Sequence, residues 1–321
     1  MGRTLVTGGA GYIGMELCDE LLQSGHDVTV LDRLLHGQAD HAQALRERGV
    51  TVVEGDIRDP VARGHALQGA DAVVHLAAIV GDPACARDPE LANEVNVEAS
   101  LALASEAAGQ VERFVMASTC SNYGRMADPT TPIDETGELA PVSLYAEQKV
   151  AIEQHLLGLD PAPFTLTCLR FATVYGVAPR MRFDLTVNEF TRDLWDDRKL
   201  EVFGEQFWRP YVHVRDAARG IRTILEAPVE AVAGEVFNVG DTRENYRKLD
   251  LVEEIRRQTD RGEVSYVRRE EDPRDYKVNF DKIAARLDYK ITKTVPEGIA
   301  ELIGELEAGR FADSDEARYR N

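Results

Sequence analysis

The stretch Thr4-Leu5-Val6-Thr7-Gly8-Gly9-Ala10-Gly11-Tyr12-Ile13-Gly14 decides how this chain folds. A short apolar run enters glycines at 8, 11 and 14, and a helical pattern, Tyr12–Gln23, follows at once. A strand that turns into a helix on glycines aims backbone N–H groups at an anion. With this spacing Gly8 permits the tight turn, Gly11 lets the main chain approach a pyrophosphate, and Gly14 lets helix pack on strand. Tyr12 and Ile13 open the helix beside them. Asp32 ends the next strand pattern, 18 residues past Gly14, where a carboxylate bonds the adenosine ribose hydroxyls and repels a 2′-phosphate. The pair predicts a dinucleotide site that prefers NAD to NADP, with Arg33 next door softening the preference.

Outward from that turn, strand and helix patterns alternate. Valine-rich runs at Thr4–Thr7, Asp27–Leu31, Thr51–Val53, Ala72–Leu76 and Arg113–Ala117 have the look of strands covered on both faces of a parallel sheet. Thr165–Phe171 and Glu235–Val239 extend the set, Pro89–Ala108 is a second clear helix, and Gly25 is a stop for the first. The fold class expected is α/β: a Rossmann-type doubly wound parallel sheet with a smaller mixed α/β C-terminal lobe for the substrate. The boundaries expected are 1–176 for the cofactor domain, with returning segments near 211–240, 177–311 for the lobe, and 312–321 as a frayed tail.

At 321 residues the chain can bury a substantial core, and 44% apolar content is ordinary for a globular protein. No apolar run approaches the ~20 residues of a membrane span, and no signal peptide is evident. Cys18, Cys85, Cys120 and Cys168 are scattered without metal-ligand spacing, so no metal site is expected and free thiols in a reducing cytoplasm are the simplest reading. Acidic residues outnumber basic ones 56 to 37, for a net charge of −19. Such a surface repels nucleic acid and anionic membranes, so neither is an expected partner. An anionic ligand must instead meet a local cationic site.

Two smaller signals sit at expected strand ends. Gly55-Asp56-Ile57 follows the third strand, where Asp56 can accept from an adenine amino group, and His75-Leu76-Ala77-Ala78 closes the fourth with small residues over which a cofactor can lie. Tyr145-Ala-Glu-Gln-Lys149 then puts a phenol and an ammonium one helical turn apart. A neighbouring cation lowers a tyrosine pKa from ~10 and lets it act as a base. Tyr289-Lys-Ile-Thr-Lys293 has the same spacing and is read as chance. Before Tyr145 comes a strand ending Ala117-Ser118-Thr119-Cys120-Ser121-Asn122-Tyr123-Gly124, which sets a hydroxyl where an open α/β sheet places its ligand.

Together Thr7–Gly14, Asp32, Gly55-Asp56, His75–Ala78, Asn96-Val97, Ser118–Gly124, Tyr145–Lys149, Leu169–Gly176, Arg209–Asp216 and Phe237–Gly240 resemble the NAD-dependent sugar epimerase/dehydratase family of extended short-chain dehydrogenases/reductases. The resemblance covers nearly the whole chain. It implies a nucleotide-diphosphate sugar substrate, Thr119 bonding the reacting oxygen, Tyr145 as acid/base, and Lys149 holding the nicotinamide ribose. It also implies Asn96 among the cofactor contacts and Arg209, with Arg274 second, as grips on the substrate diphosphate. Asn188 is a further substrate candidate. A homodimer is implied through helices near Asn93–Ala108 and Tyr145–Leu157.

The departures narrow the reaction. Members that eliminate water across C5 and C6 of the sugar carry Asp-Glu after the Ser/Thr, whereas this chain has Cys120-Ser121. A conventional 4,6-dehydratase is therefore disfavoured. Cys120 is a variant acid or base, or a small buried residue at a strand end, and the second reading is preferred. Thr173 stands where asparagine is common and puts one substrate contact in doubt. The expected reaction is a nucleotide-sugar epimerisation at C4 through a transient keto-sugar. A 4-ketoreductase or dehydrogenase would use the same residues, and a variant dehydratase or a non-catalytic NAD sensor stand further off.

Overall fold

Alternate residues of the central strands point into two different apolar layers, the pattern that a sheet covered on both faces requires. Leu5 and Val73 are buried on one side, with Ala99, Leu103, Ile152 and Leu156. Val6 and Val74 are buried on the other, with Met15, Leu17, Leu21, Ala217 and Ile221. The computed structural model describes residues 2–126, 131–267, 274–311 and 313–321. Seven strands form one sheet in the order Glu235–Val239, β6 (Thr165–Phe171), β5 (Arg113–Thr119), β4 (Ala72–His75), β1 (Arg3–Thr7), β2 (Asp27–Asp32) and β3 (Thr51–Glu54). Every pairing in it is parallel. The order reverses between β1 and β4, and a doubly wound sheet binds its ligand outside the carboxyl ends of the strands at that switch.

The first helix, α1 (Tyr12–Gln23), begins and ends where its pattern predicts, and Gly25 closes it at φ +79°. The long helix expected over Pro89–Ala108 is present and continuous from Pro89 to Ala107, with a π turn inside it: Pro89–Asn93, then Glu94–Glu98 as the π turn, then Ala99–Ala107. The wider turn buries both Val95 and Asn96, and a single π turn of this kind is commonly found at functional sites.

A smaller lobe holds a three-stranded sheet, Asn245–Arg247, Trp208–His213 and Thr173–Tyr175, beside a parallel pair, Lys199–Phe203 with Glu263–Val267. Its core includes Phe190, Leu194, Leu251, Ile255, Val295 and Ile299. The helix Val214–Glu226 packs back on α1. Two expectations differ. Tyr276, Val278, Phe280, Ile283 and Tyr289 join the core of the large sheet, so the returning chain is longer than 211–240. The tail is docked, not frayed: Phe183 N–H donates to the Tyr319 carbonyl at 2.8 Å, and the Tyr319 ring meets Phe183 and Phe311 edge-on. Residue 312 lies outside the described residues. Among those described, no helix is long and apolar enough to cross a membrane.

Candidate functional site

A cleft of about 620 Å³ crosses the carboxyl ends of six strands, from β3 to β6. Its floor at β1 is the glycine-rich turn. Gly8 has φ +72°, which favours glycine, and a Cβ on Gly14 would lie 2.3 Å from the Gly8 carbonyl oxygen. The tight turn therefore tolerates no side chain at 14. Asp32 accepts from the backbone N–H of Ala10 at 3.0 Å and of Leu34 at 2.8 Å, which fixes its carboxylate between the glycine turn and the loop after β2. Burial pushes its pKa up, and the two N–H groups oppose the shift.

Asp56 is less open than expected. Arg58 meets it through Nε at 3.1 Å and Nη2 at 2.8 Å, and Arg33 through Nη1 at 3.1 Å. The Arg58 hydrogen bond holds the carboxyl below its usual range. Arg33 is thus tied to Asp56 beside Asp32. The stretch 75–78 is held from beneath: His75 bonds Thr7 Oγ1 and Ser100 Oγ, both at 2.7 Å, and Ala77 N–H donates to Thr7 at 3.2 Å. Burial drops the His75 pKa to about 3, so it is a neutral strut.

The hydroxyl and the Tyr–Lys pair come together on the same cleft wall. Thr119 ends β5 and caps the short turn Cys120–Tyr123, its Oγ1 accepting from Ser121 N–H at 3.1 Å. Tyr145 and Lys149 lie one turn apart on the helix Leu144–Leu157, and both line the cleft with Thr119. The Lys149 ammonium donates to the Ala117 carbonyl at 2.8 Å and sits 5.9 Å from the centre of the Tyr145 ring. Burial lowers the Lys149 pKa to about 8. Burial raises that of Tyr145, with Cys85 and Asp82 adding to the rise and Arg182 opposing it.

The cleft takes in Gly8, Gly11, Tyr12, Ile13, Gly14, Asp32, Arg33, Asp56, Ile57 and Leu76–Ala78, all predicted for the cofactor. It also takes in Thr119, Ser121, Thr173 and Arg274, predicted for the substrate. Arg274 pairs with Asp82 at 2.9 Å at the start of the helix Asp82–Arg87.

Four predicted side chains do not line the cleft. Asn96 faces inward, accepting from Ile79 N–H at 2.7 Å and donating to Gln148 Oε1 at 2.8 Å. The Cys120 thiol is sealed, donating to the Arg170 carbonyl at 3.2 Å, and burial raises its pKa well above the usual thiol value. Asn188 braces Gly176, accepting its N–H at 2.9 Å, and donates to the Arg182 carbonyl at 2.8 Å. Arg209 lies behind Tyr276, its guanidinium 5.3 Å from that ring, while Tyr276 itself faces the cleft. Tyr289, the rejected twin of Tyr145, is buried and donates to the Asp216 carbonyl at 2.9 Å, which makes it structural.

Sequence reading missed Arg180, Arg182 and Asp184, which line the cleft on the segment after Gly176. The signal was present as Pro179-Arg180-Met181-Arg182, two arginines in a chain with a large acidic excess. Arg182 is bound to Asp184 through Nε at 2.9 Å and Nη2 at 2.7 Å.

The arrangement fits a dinucleotide: a side-chain-free turn, a fixed carboxylate at the ribose position, and a cationic wall. Comparison with known proteins agrees. Residues 4–240 match the model of the NAD dependent epimerase/dehydratase family. A UDP-glucose 4-epimerase of Bacillus subtilis is 30% identical over 77% of this chain and 79% of its own length. A dTDP-glucose 4,6-dehydratase of Streptomyces niveus is 30% identical over 94% of this chain and 91% of its own. The solved UDP-glucose 4-epimerase of Thermus thermophilus, in complex with NAD, superposes with a TM-score of 0.83 at 26% identity, covering 95% of this chain and 99% of that one.

Proposed function

Because the chain belongs to the NAD dependent epimerase/dehydratase family and is an NAD-dependent enzyme of that type, we propose that it inverts the C4 hydroxyl of a nucleotide-diphosphate sugar. Relatives of nearly equal identity include an epimerase and a dehydratase, so the choice rests on this chain's own residues. The carrying observation is the wall beside Thr119. Position 120 is a sealed thiol and 121 a serine, so the wall lacks the acid and base that elimination across C5 and C6 needs.

Among the described residues, the carboxylates lining the cleft are already engaged: Asp32 by two backbone N–H groups, Asp56 by Arg58 and Arg33, Asp82 by Arg274, and Asp184 by Arg182. The chemistry is assigned to Thr119, Tyr145 and Lys149, which line the cleft together. Tyr145 takes the C4 hydroxyl proton while that carbon becomes a ketone, and Thr119 donates a hydrogen bond to the same oxygen. The bound dinucleotide supplies the hydride acceptor and, for the return, the donor. After the keto-sugar turns over, C4 is reduced on its other face and Tyr145 returns the proton. Lys149 gives one N–H to Ala117 and keeps two for the cofactor ribose, its charge favouring the phenolate. Arg274 would exchange Asp82 for the substrate diphosphate.

A ketoreductase or dehydrogenase would use the same three residues but consume or release reduced nicotinamide. Incubation with a panel of UDP-, dTDP-, GDP- and CDP-sugars separates the readings. A C4 epimer formed without net change in absorbance at the reduced-nicotinamide band supports epimerisation. Stoichiometric reduced cofactor would overturn it. The same reading carries a homodimer through the helices Ala99–Ala107 and Leu144–Leu157, and sedimentation of the intact protein at twice the chain mass is the expected result.

A further inference from the structure

Arg180 is 2% exposed yet lines the cofactor cleft. Its Nη2 donates to the Arg320 carbonyl at 2.9 Å, while its Nε is buried without a partner. A guanidinium offers five donors and can shed none of its charge, so burying an idle N–H is costly unless an anion completes it. The nearby carboxylates do not serve. Asp184 holds Arg182, and Asp32 is held by Ala10 and Leu34.

The position is specific. The Arg180 charge bears on Asp32 and His36, at the end of the cleft where the adenosine ribose is read, and on Tyr12 at the start of α1. The segment that carries it is fixed from both sides. Asn188 braces Gly176 and the Arg182 carbonyl, and residues 313–321 strap it through Tyr319 to Phe183 and through Asn321 N–H to Asp184 at 3.4 Å. A side chain so immobilised is pre-organised for a ligand.

We propose that Arg180 binds the diphosphate of the dinucleotide cofactor, adding a charged grip to the backbone grip of the glycine-rich turn. In a protein of net charge −19 this supplies the local cation that a dianionic diphosphate needs. A cofactor held in both ways stays in place through turnover, which suits a reaction that regenerates it. The proposal rests on the dinucleotide reading of the cleft.

The test is calorimetric binding of NAD, its 2′-phosphorylated form NADP, ADP and adenosine to the cofactor-stripped protein, to Arg180→Met and to Arg180→Lys, with thermal unfolding of each. The expected result is about tenfold to a hundredfold weaker NAD and ADP binding in Arg180→Met, partial recovery in Arg180→Lys, and unchanged adenosine binding. Equal losses for adenosine and ADP, or a lowered unfolding temperature with unchanged NAD affinity, would show that Arg180 only holds the 313–321 strap. Loss of the 2′-phosphorylated dinucleotide alone would move the grip to the ribose and also overturn the proposal. Failure of the wild-type protein to bind NAD would instead overturn the cleft reading itself.

Discussion

In the proposed epimerisation Tyr145 is the proton carrier, and its surroundings explain why it needs help. Burial alone keeps the phenol protonated, so Lys149 and the bound cofactor must supply the field that frees it. Replacing Tyr145 by Phe removes the proton carrier and leaves the helix and the cleft intact. Turnover should fall by about a hundredfold or more while NAD affinity stays within a few-fold of wild type, measured by product assay and by binding titration. Loss of both together would make Tyr145 a cofactor anchor first. Most of this site was legible at the residue scale because its chemistry sits in contiguous motifs at strand ends. Arg180 and Arg182 were not, since an arginine in a loop carries no periodic signal and its direction depends on packing. Cys120 and Asn188 show the converse: each lies beside the site in sequence, but its side chain bonds neighbouring backbone outside the cleft, while Arg209 bonds the Trp208 carbonyl and stacks on Tyr276.

At the scale of elements, α1 ties the cofactor turn to the rest of the molecule. Gly14→Ala would drive a Cβ into the Gly8 carbonyl and the Gly9 backbone, so helix and strand must separate. The expected outcome is loss of NAD binding with a lowered unfolding temperature, read by titration and calorimetry. Two residues further on, Glu16 faces Arg215 at 3.6 Å, and burial raises its pKa from 4.5 to about 7. Between those values the folded state binds more protons than the unfolded one, so this group's contribution becomes less favourable as pH rises from about 4.5 to 7. Glu16→Gln should therefore raise the unfolding temperature at pH 8 and change it little at pH 4.5. A gain of equal size at both pH values would assign the effect to packing. The elements themselves were well marked in sequence, because a buried parallel strand is a short valine-rich run between turn residues. The π turn at Glu94–Glu98 was not, since its hydrophobic pattern differs from an ordinary helix by a single inserted residue.

At the scale of the whole molecule, the acidic surface and the anionic ligands oppose each other. Screening that repulsion should speed the capture of NAD as salt rises from low to physiological ionic strength, where the Debye length is about 8 Å. Stopped-flow association rates would show this, and a rate that falls throughout would mean that the local arginines outweigh the global field. Docking of residues 313–321 and the return of 276–289 to the large sheet were hidden from sequence for a related reason: long-range packing leaves little local trace. The central claim is that a hydride leaves C4 and comes back to C4. It is tested most directly with the nucleotide-sugar that the panel selects, deuterated at C4. Epimerisation predicts that the label remains at C4 of the inverted product with no net reduced nicotinamide. Label found at C6 with loss of water, or collected in released cofactor, would contradict it.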